Sequence, residues 1–212
     1  MGATRRSYLP WIIGVGVLVV ALAGAAVIAA TRGDDDGGAD STAIVETNAV
    51  VIDGESLPEL TGVDDALGAN APQATGTGFD GLRVELLADG EPAVIGFFAH
   101  WCPVCQGEVA EISDHLADVG LPDDVRMIAV STAVASDRDN YPPSAWFARE
   151  DWPTPILLDD AEGNLAQAYG LPAFPLWVAV GADGKVAGRE AGAIGPDRFD
   201  ALVDVARTGG LA

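Results

Sequence analysis

The chain of 212 residues carries 32 acidic against 11 basic side chains, which gives a formal net charge of −21. Nucleic acids and anionic lipid surfaces both need a basic face on their partners, so this balance argues against either as a binding partner. About 145 residues follow position 66, a normal size for one domain with its own core.

Residues 11–30 form an uncharged apolar run that follows a short arm, residues 1–10. At about 1.5 Å per residue, a helix of this length spans a hydrocarbon core of about 30 Å. We predict an uncleaved transmembrane anchor, because the apolar region of a cleaved signal peptide is shorter, about 7–15 residues. Cleavage as a signal peptide is the alternative.

The basic residues around the run predict its orientation. Arg5 and Arg6 precede it, whereas Arg32 alone follows it and stands before three aspartates. The arm is therefore predicted to be cytoplasmic and everything after the run extracytoplasmic, in a single-pass protein of the cell membrane.

Residues 31–65 are predicted to be a flexible linker and an N-terminal ornament before a domain at 66–212. The linker, residues 31–42, is too polar and too rich in glycine to bury a core. A short apolar stretch at 49–52 indicates a strand or a loose ornament.

The domain alternates predicted strands and helices. Leu82, Val84 and Leu86 alternate with polar residues, as in a half-buried strand. Apolar runs at 93–99 and 127–130 predict buried strands, which are parallel if the helix between them is the crossover. The remaining predicted elements are a strand at 155–158, a helix at 161–169, a hairpin of 176–180 with 185–189, and a helix at 198–207. This order predicts an α/β fold with a central mixed sheet flanked by helices.

The two cysteines of the chain lie three residues apart, at the junction of the 93–99 strand and a helix predicted to end near Gly120. Residues three apart on a helix have Cβ atoms about 5–6 Å apart, so a small adjustment closes a disulfide. Pro103 suits the first helical turn and puts Cys102 at the helix cap. Free N–H groups and the helix dipole stabilise a thiolate there, and such cysteines have pKa values of about 3.5–7.5. We predict Cys102 as the attacking sulfur and Cys105, one turn deeper on the apolar face, as the resolving thiol.

A permanent structural disulfide and a metal site are the alternatives for this pair. A bridge closing so short a loop adds little chain-entropy stabilisation. A copper or zinc carrier needs further ligands, and neither histidine stands in a recognised spacing with the cysteines. We expect no metal, and no cofactor beyond the redox-active Cys102–Cys105 disulfide.

Three motifs in this order give residues 66–208 a family resemblance. They are GANAP at 68–72, FFAHWCPVC at 97–105, and YGLPAFP at 169–175 followed by a strand and Asp183-Gly184. With them the chain resembles the membrane-anchored TlpA/ResA-like thiol-disulfide oxidoreductases of the thioredoxin superfamily.

The resemblance implies a thioredoxin fold and an enzyme that exchanges disulfides with protein thiols, served by an electron-transfer partner in the membrane. It favours a reductant of protein disulfides, for example in cytochrome c maturation. A DsbA-like oxidase is the close alternative, because Pro103 and an imidazolium at His100 would both favour the thiolate. A peroxidase of the peroxiredoxin type shares the fold, but its peroxidatic cysteine sits in a different motif.

The resemblance also implies how substrate binds. Pro175 is expected to be the cis-proline that faces the redox pair, while Pro172 is expected to be a trans loop proline. Trp101 is expected to cover the disulfide, and with Phe174 and Pro175 to contact substrate. Phe174 departs from the small residue, often threonine, that such proteins carry there, so its ring is expected to reshape the groove.

Two further residues are candidates for tuning the cysteines. Glu108 matches an acidic position of the family and is expected to accept the Cys105 proton, with a solvated helix charge as the alternative. His100 is expected to stabilise the Cys102 thiolate as imidazolium, with a surface loop residue as the alternative. The chain departs from the family pattern at Ala110, where proline is common, and from many thioredoxins at Gly96, where a buried aspartate is common.

Overall fold

The computed structural model of the protein describes residues 45–210. The predicted arm at 1–10, the predicted anchor at 11–30 and the predicted linker at 31–42 lie outside the described residues. Within 45–210, no helix combines the length and the apolar character that crossing a membrane requires.

The described residues form eight strands and four helices. The strands are β1 (Val51–Asp53), β2 (Gln73–Thr77), β3 (Arg83–Glu85), β4 (Ala93–Phe98), β5 (Arg126–Ser131), β6 (Ile156–Leu158), β7 (Leu176–Val180) and β8 (Val186–Ala191). The helices are α1 (Pro103–Val119), α2 (Pro143–Arg149), α3 (Asn164–Ala168) and α4 (Gly195–Thr208).

Five strands form a mixed sheet in the order β6-β5-β4-β7-β8. β4 pairs in parallel with β5 on one side and antiparallel with β7 on the other. All six residues of β4 are buried, as its unbroken apolar run predicts for a central strand. The predicted crossover through α1 and the predicted β7–β8 hairpin are both confirmed.

The alternation of side chains along β4 divides the core between the two faces of the sheet. Val94 and Phe98 lie in a cluster with apolar residues of α1 and α4, including Ile112 and Phe199. Ile95 and Phe97 lie in a second cluster with residues of α3 and the N-terminal segment. The central strand thus lies between two cores, and the start of α1 packs into the first of them.

The segment before the main sheet is an ordered part of the structure. β1, β2 and β3 form a separate antiparallel sheet. Leu57 is buried, and Asp64 pairs with the buried guanidinium of Arg189 in β8. The expected burial of Leu82 is wrong, because this residue is 67% exposed. It lies in the turn before β3, where the Gly78 N–H donates to the Leu82 carbonyl.

Candidate active site

The cysteine pair lies where β4 leads into α1, as the sequence predicts. Cys102 is the N-cap in an extended conformation, Pro103 occupies the first turn, and the Gln106 N–H donates to the Cys102 carbonyl at 3.0 Å. Both cysteines are free thiols. Cys102 is 8% exposed and Cys105 is completely buried. Of the two cysteines, only Cys102 therefore keeps any surface that a partner can contact.

Burial raises the pKa of the Cys105 thiol well above its ordinary value. A hydrogen bond with the Ala99 backbone opposes this shift, whereas the neighbouring Cys102 and the negative charge of Glu108 add to it. Cys105 therefore keeps its proton at neutral pH, and an attack by its sulfur needs an acceptor for that proton.

The Phe174–Pro175 peptide bond is cis, as expected, and lies against the redox pair. The Cys102 thiol donates to the Phe174 carbonyl over 4.0 Å. Within the described residues the other cis bond is Tyr141–Pro142, which the sequence did not indicate, so the Pro172 bond is trans. The backbone before Pro175 thus faces the sulfur that a substrate would reach.

Trp101 joins the cysteine pair to the loop at 133–140. Its indole N–H donates to the Ala133 carbonyl at 2.8 Å. Its ring meets that of Phe174 nearly at right angles, with centroids 5.9 Å apart. The guanidinium carbon of Arg138 lies 4.5 Å from the centroid of the Trp101 ring. The indole is therefore one wall of the site, and its aromatic contact with Phe174 crosses from the α1 side to the Pro175 side.

His100 is buried, with 1% of its surface exposed, so the surface-loop alternative is wrong. The Ala135 N–H donates to Nε2 at 3.1 Å, and Nδ1 lies 2.7 Å from the Asp139 carbonyl. A nitrogen that accepts from an N–H carries no proton, which assigns the neutral ring with its proton on Nδ1. These contacts do not fit the expected imidazolium beside Cys102. His100 instead clamps the 133–140 loop against the start of α1.

Glu108 is buried as well, with 1% of its surface exposed, so the solvated alternative is wrong. Its Oε1 accepts from the Trp177 indole N–H at 2.9 Å and from the Ile194 N–H at 3.0 Å, and its Oε2 accepts from the Gly195 N–H at 3.3 Å. The carboxylate is close enough to Cys105 to raise its pKa. Glu108 thus supplies a fixed, desolvated carboxylate beneath the resolving thiol.

The structure explains the glycine at position 96. A Cβ atom there would lie 2.6 Å from ring carbons of Phe98 and 2.9 Å from the Trp177 ring. The two rings fill the space in which a side chain of residue 96 would stand, and Trp177 holds Glu108 instead. Sequence reasoning missed Trp177, because its place in an apolar strand indicates only a core residue.

The loop at 133–140 was also missed, since nothing in its sequence marks contact with the cysteine pair. Its residues reach the site through tertiary hydrogen bonds to His100 and Trp101. Across residues 45–210, no three or more His, Cys, Asp or Glu side chains are grouped in a way that could hold a metal ion.

Comparisons with known proteins agree with this fold. The model of the Redoxin family matches residues 52–204. Soluble secreted antigen MPT53 of Mycobacterium tuberculosis is 27% identical over 135 residues, which cover 61% of this chain and 68% of that protein.

Among solved structures, a putative thiol:disulfide interchange protein DsbE from Chlorobium tepidum is 21% identical with a TM-score of 0.54, over 68% of this chain and 96% of its own. MTB DsbF, in mixed oxidized and reduced forms, is 25% identical with a TM-score of 0.50, over 63% and 94%. With the family match over most of the described residues and the cysteine pair at the head of α1, this chain belongs to the Redoxin family and is a thiol-disulfide oxidoreductase with a thioredoxin-like α/β fold.

Proposed function

We propose that this protein is a membrane-anchored, extracytoplasmic enzyme that reduces disulfides in other proteins through Cys102 and Cys105. The observation that carries the proposal is the unequal burial of the two sulfurs. Cys102 keeps 8% of its surface exposed at the cap of α1, opposite the Phe174 carbonyl, while Cys105 is completely buried one turn later. A pair built this way admits a substrate sulfur at one cysteine and protects the other.

In the proposed reaction, the Cys102 thiolate attacks one sulfur of a substrate disulfide. The substrate S–S bond breaks, its second sulfur leaves as a thiolate that takes a proton, and a mixed disulfide with Cys102 forms. Cys105 then gives its proton to Glu108 and attacks the Cys102 sulfur. The mixed disulfide breaks, its substrate sulfur leaves as a thiolate that takes a proton, and the substrate is released as a dithiol while the enzyme keeps the Cys102–Cys105 disulfide. Two electrons have passed to the substrate.

Three residues are proposed to hold the substrate during exchange. An extended segment that pairs with the backbone at Phe174 and Pro175 would bring its cysteine to Cys102. Trp101 would supply an apolar wall beside it. The Phe174 ring contacts Trp101 and would narrow the groove through which a substrate segment reaches Cys102.

The reductive direction is favoured by the state of His100. The oxidase alternative drew on two features that favour the thiolate, Pro103 and an imidazolium at His100. The hydrogen bonds of His100 require a neutral ring, so the second feature is lost. About 30 mV of potential corresponds to about 1.4 kcal/mol, so one charge near the thiolate is enough to shift the preferred direction. Cysteines that await haem in cytochrome c maturation are the proposed example of a substrate.

The proposed location depends on residues 11–30, whose uncharged length suits a membrane span. The relative MPT53 is named as a secreted protein. A disulfide reductant outside the cytoplasm must be reduced again after each turnover, so an electron-transfer partner in the membrane is part of the proposal.

Serine variants test the proposed roles. We expect Cys102→Ser to abolish reduction of insulin disulfides, and Cys105→Ser to accumulate mixed disulfides that a reducing agent releases. Ser113→Ala, in the same helix and away from the pair, is the matched control. Insulin reduction that continues at the normal rate in Cys102→Ser would refute the proposal.

Measuring the reduction potential against glutathione tests the direction. A value near that of thioredoxin, about −270 mV, supports the reductant, whereas a value near about −120 mV supports the oxidase.

A further inference from the structure

We infer that Arg138 is a specificity-determining residue that binds a carboxylate of the substrate close to its reacting cysteine. The inference rests on the proposed function and names the chemistry of the segment that the site prefers. The observation that supports it is the position of the Arg138 guanidinium over Trp101, which forms one wall of the site.

Arg138 differs from the other arginines of the structure in what it touches. Within residues 45–210, the other arginines form ion pairs with carboxylates, namely Arg83, Arg126, Arg149, Arg189, Arg198 and Arg207. Arg138 forms no ion pair with any described residue, although Asp137 and Asp139 flank it in the sequence and acidic residues are in large excess. Its guanidinium lies over the Trp101 ring instead.

With its carbon over the Trp101 ring and no described carboxylate paired with it, the guanidinium keeps its N–H groups available. A guanidinium over an aromatic face is held by its flat surface, while its N–H groups point outward in the plane. Those N–H groups match the two oxygens of a carboxylate in a bidentate pair. Arg138 is exposed, so a carboxylate of another protein can reach it.

The loop that carries Arg138 is held in place by the residues just before Cys102. The His100 ring bonds to the backbone of Ala135 and Asp139 on either side of Arg138, and Trp101 bonds to Ala133. The Arg138 N–H also donates to the Ala135 carbonyl at 3.2 Å. The backbone that carries the cation is therefore held beside Trp101, the neighbour of the attacking cysteine, so its ligand belongs to the part of the substrate next to the reacting cysteine.

Two disulfide-loop peptides of identical composition test the inference. One carries its single glutamate two residues after the second cysteine, and the other carries it at the far end. Because their net charges are equal, repulsion by the acidic protein as a whole cancels in the ratio of their rates. The readout is the second-order rate of single-turnover oxidation of the reduced full chain, followed by alkylation and mass measurement.

We expect the wild type to prefer the near-glutamate peptide by about threefold to tenfold, as a partly exposed charge-assisted pair provides. Arg138→Gln should bring the ratio to about one, and Arg138→Lys should restore part of it. Arg83→Gln, which alters an exposed arginine in β3, should keep the wild-type ratio. An active wild type with a ratio of one, or a ratio that survives Arg138→Gln, would overturn the inference alone. No exchange with either peptide would refute the proposed function as well.

Discussion

Replacing Glu108 by glutamine tests whether the buried carboxylate takes the proton from Cys105. The change keeps the size of the side chain and one carbonyl oxygen, but it removes the negative charge and the basic oxygen. A positioned general base contributes about 10²- to 10⁴-fold to a rate. We therefore expect Cys105 to attack the mixed disulfide at least about 100-fold more slowly in Glu108→Gln.

The electrostatic effect of the same change has the opposite sign. The charge of Glu108 helps to raise the pKa of Cys105, after the larger effect of burial. Its removal lowers that pKa and by itself increases the thiolate fraction and the rate of attack. A slower reaction in the variant therefore has the sign of lost proton transfer and the opposite sign to the shift in pKa.

The structure also predicts the cost of this substitution in stability. The glutamine carbonyl can still accept from the Trp177 and Ile194 N–H groups, which share one oxygen of Glu108. The amide group then faces the Gly195 N–H, a donor against a donor. Losing one hydrogen bond to a charged acceptor costs about 1.5–3 kcal/mol, measured as the free energy of unfolding in urea.

The kinetic assay uses the adduct of reduced enzyme with thionitrobenzoate at Cys102. Attack by Cys105 releases the coloured thiolate, so stopped-flow absorbance reports that step alone. Glu111→Gln is the matched control, since it makes the same charge change at an exposed position of the same helix. Release from Glu108→Gln at or above the rate of this control would refute proton transfer to Glu108.

Three further substitutions test the contacts around the site through the free energy of unfolding. Asp64→Asn leaves the buried Arg189 charge unpaired and should cost about 3–5 kcal/mol. Gly96→Ala places a methyl group 2.6 Å from the Phe98 ring and should cost about 1–3 kcal/mol. His100→Ala removes the partners of two backbone groups in the 133–140 loop and should cost about 1–3 kcal/mol per group left buried and unpaired, with faster hydrogen exchange in that loop.

Each of these has a control in the chain. Glu85→Gln breaks an exposed pair and should cost about 1 kcal/mol or less. Gly107→Ala meets no atom within 4 Å and should stabilise α1 by about 1 kcal/mol. His115→Ala removes a pair with the half-exposed Asp200 and should leave the 133–140 loop unchanged. Equal effects within any of the three comparisons would contradict the contacts described.

The pH dependence of the Asp64 contribution has a defined sign. Burial raises the pKa of Asp64, but hydrogen bonds from Arg189 and the Ala66 N–H, with the Arg189 charge, lower it to a net value below the ordinary 3.8. The stabilisation is thus present above the unfolded pKa of about 3.9 and is lost as the pH falls through the lower folded value. Urea unfolding of wild type and Asp64→Asn should therefore converge below about pH 4.

Predictions made along the chain were confirmed where a local pattern decides the structure. The helix from Pro103, its cap at Cys102 and the parallel crossover follow from apolar periodicity and from the position of one proline. The prediction that Leu82 lies in a half-buried strand failed, because alternation alone does not locate the end of a strand. Leu82 lies in the turn before β3. The second cis bond, Tyr141–Pro142, has no local signal that separates it from other prolines.

By itself, the sequence determined that two sulfurs stand at the head of an amphipathic helix, because their spacing and the adjoining strand are features of consecutive residues. Only the tertiary structure decided the surroundings of those sulfurs. Trp177 lies 69 positions from the Glu108 that it holds, and the Asp139 carbonyl lies 39 positions from the His100 that it binds. Protonation and burial depend on such distant partners. The histidine expected to be charged is therefore a neutral clamp, and the glutamate for which a solvated position was the alternative is enclosed beneath the redox pair.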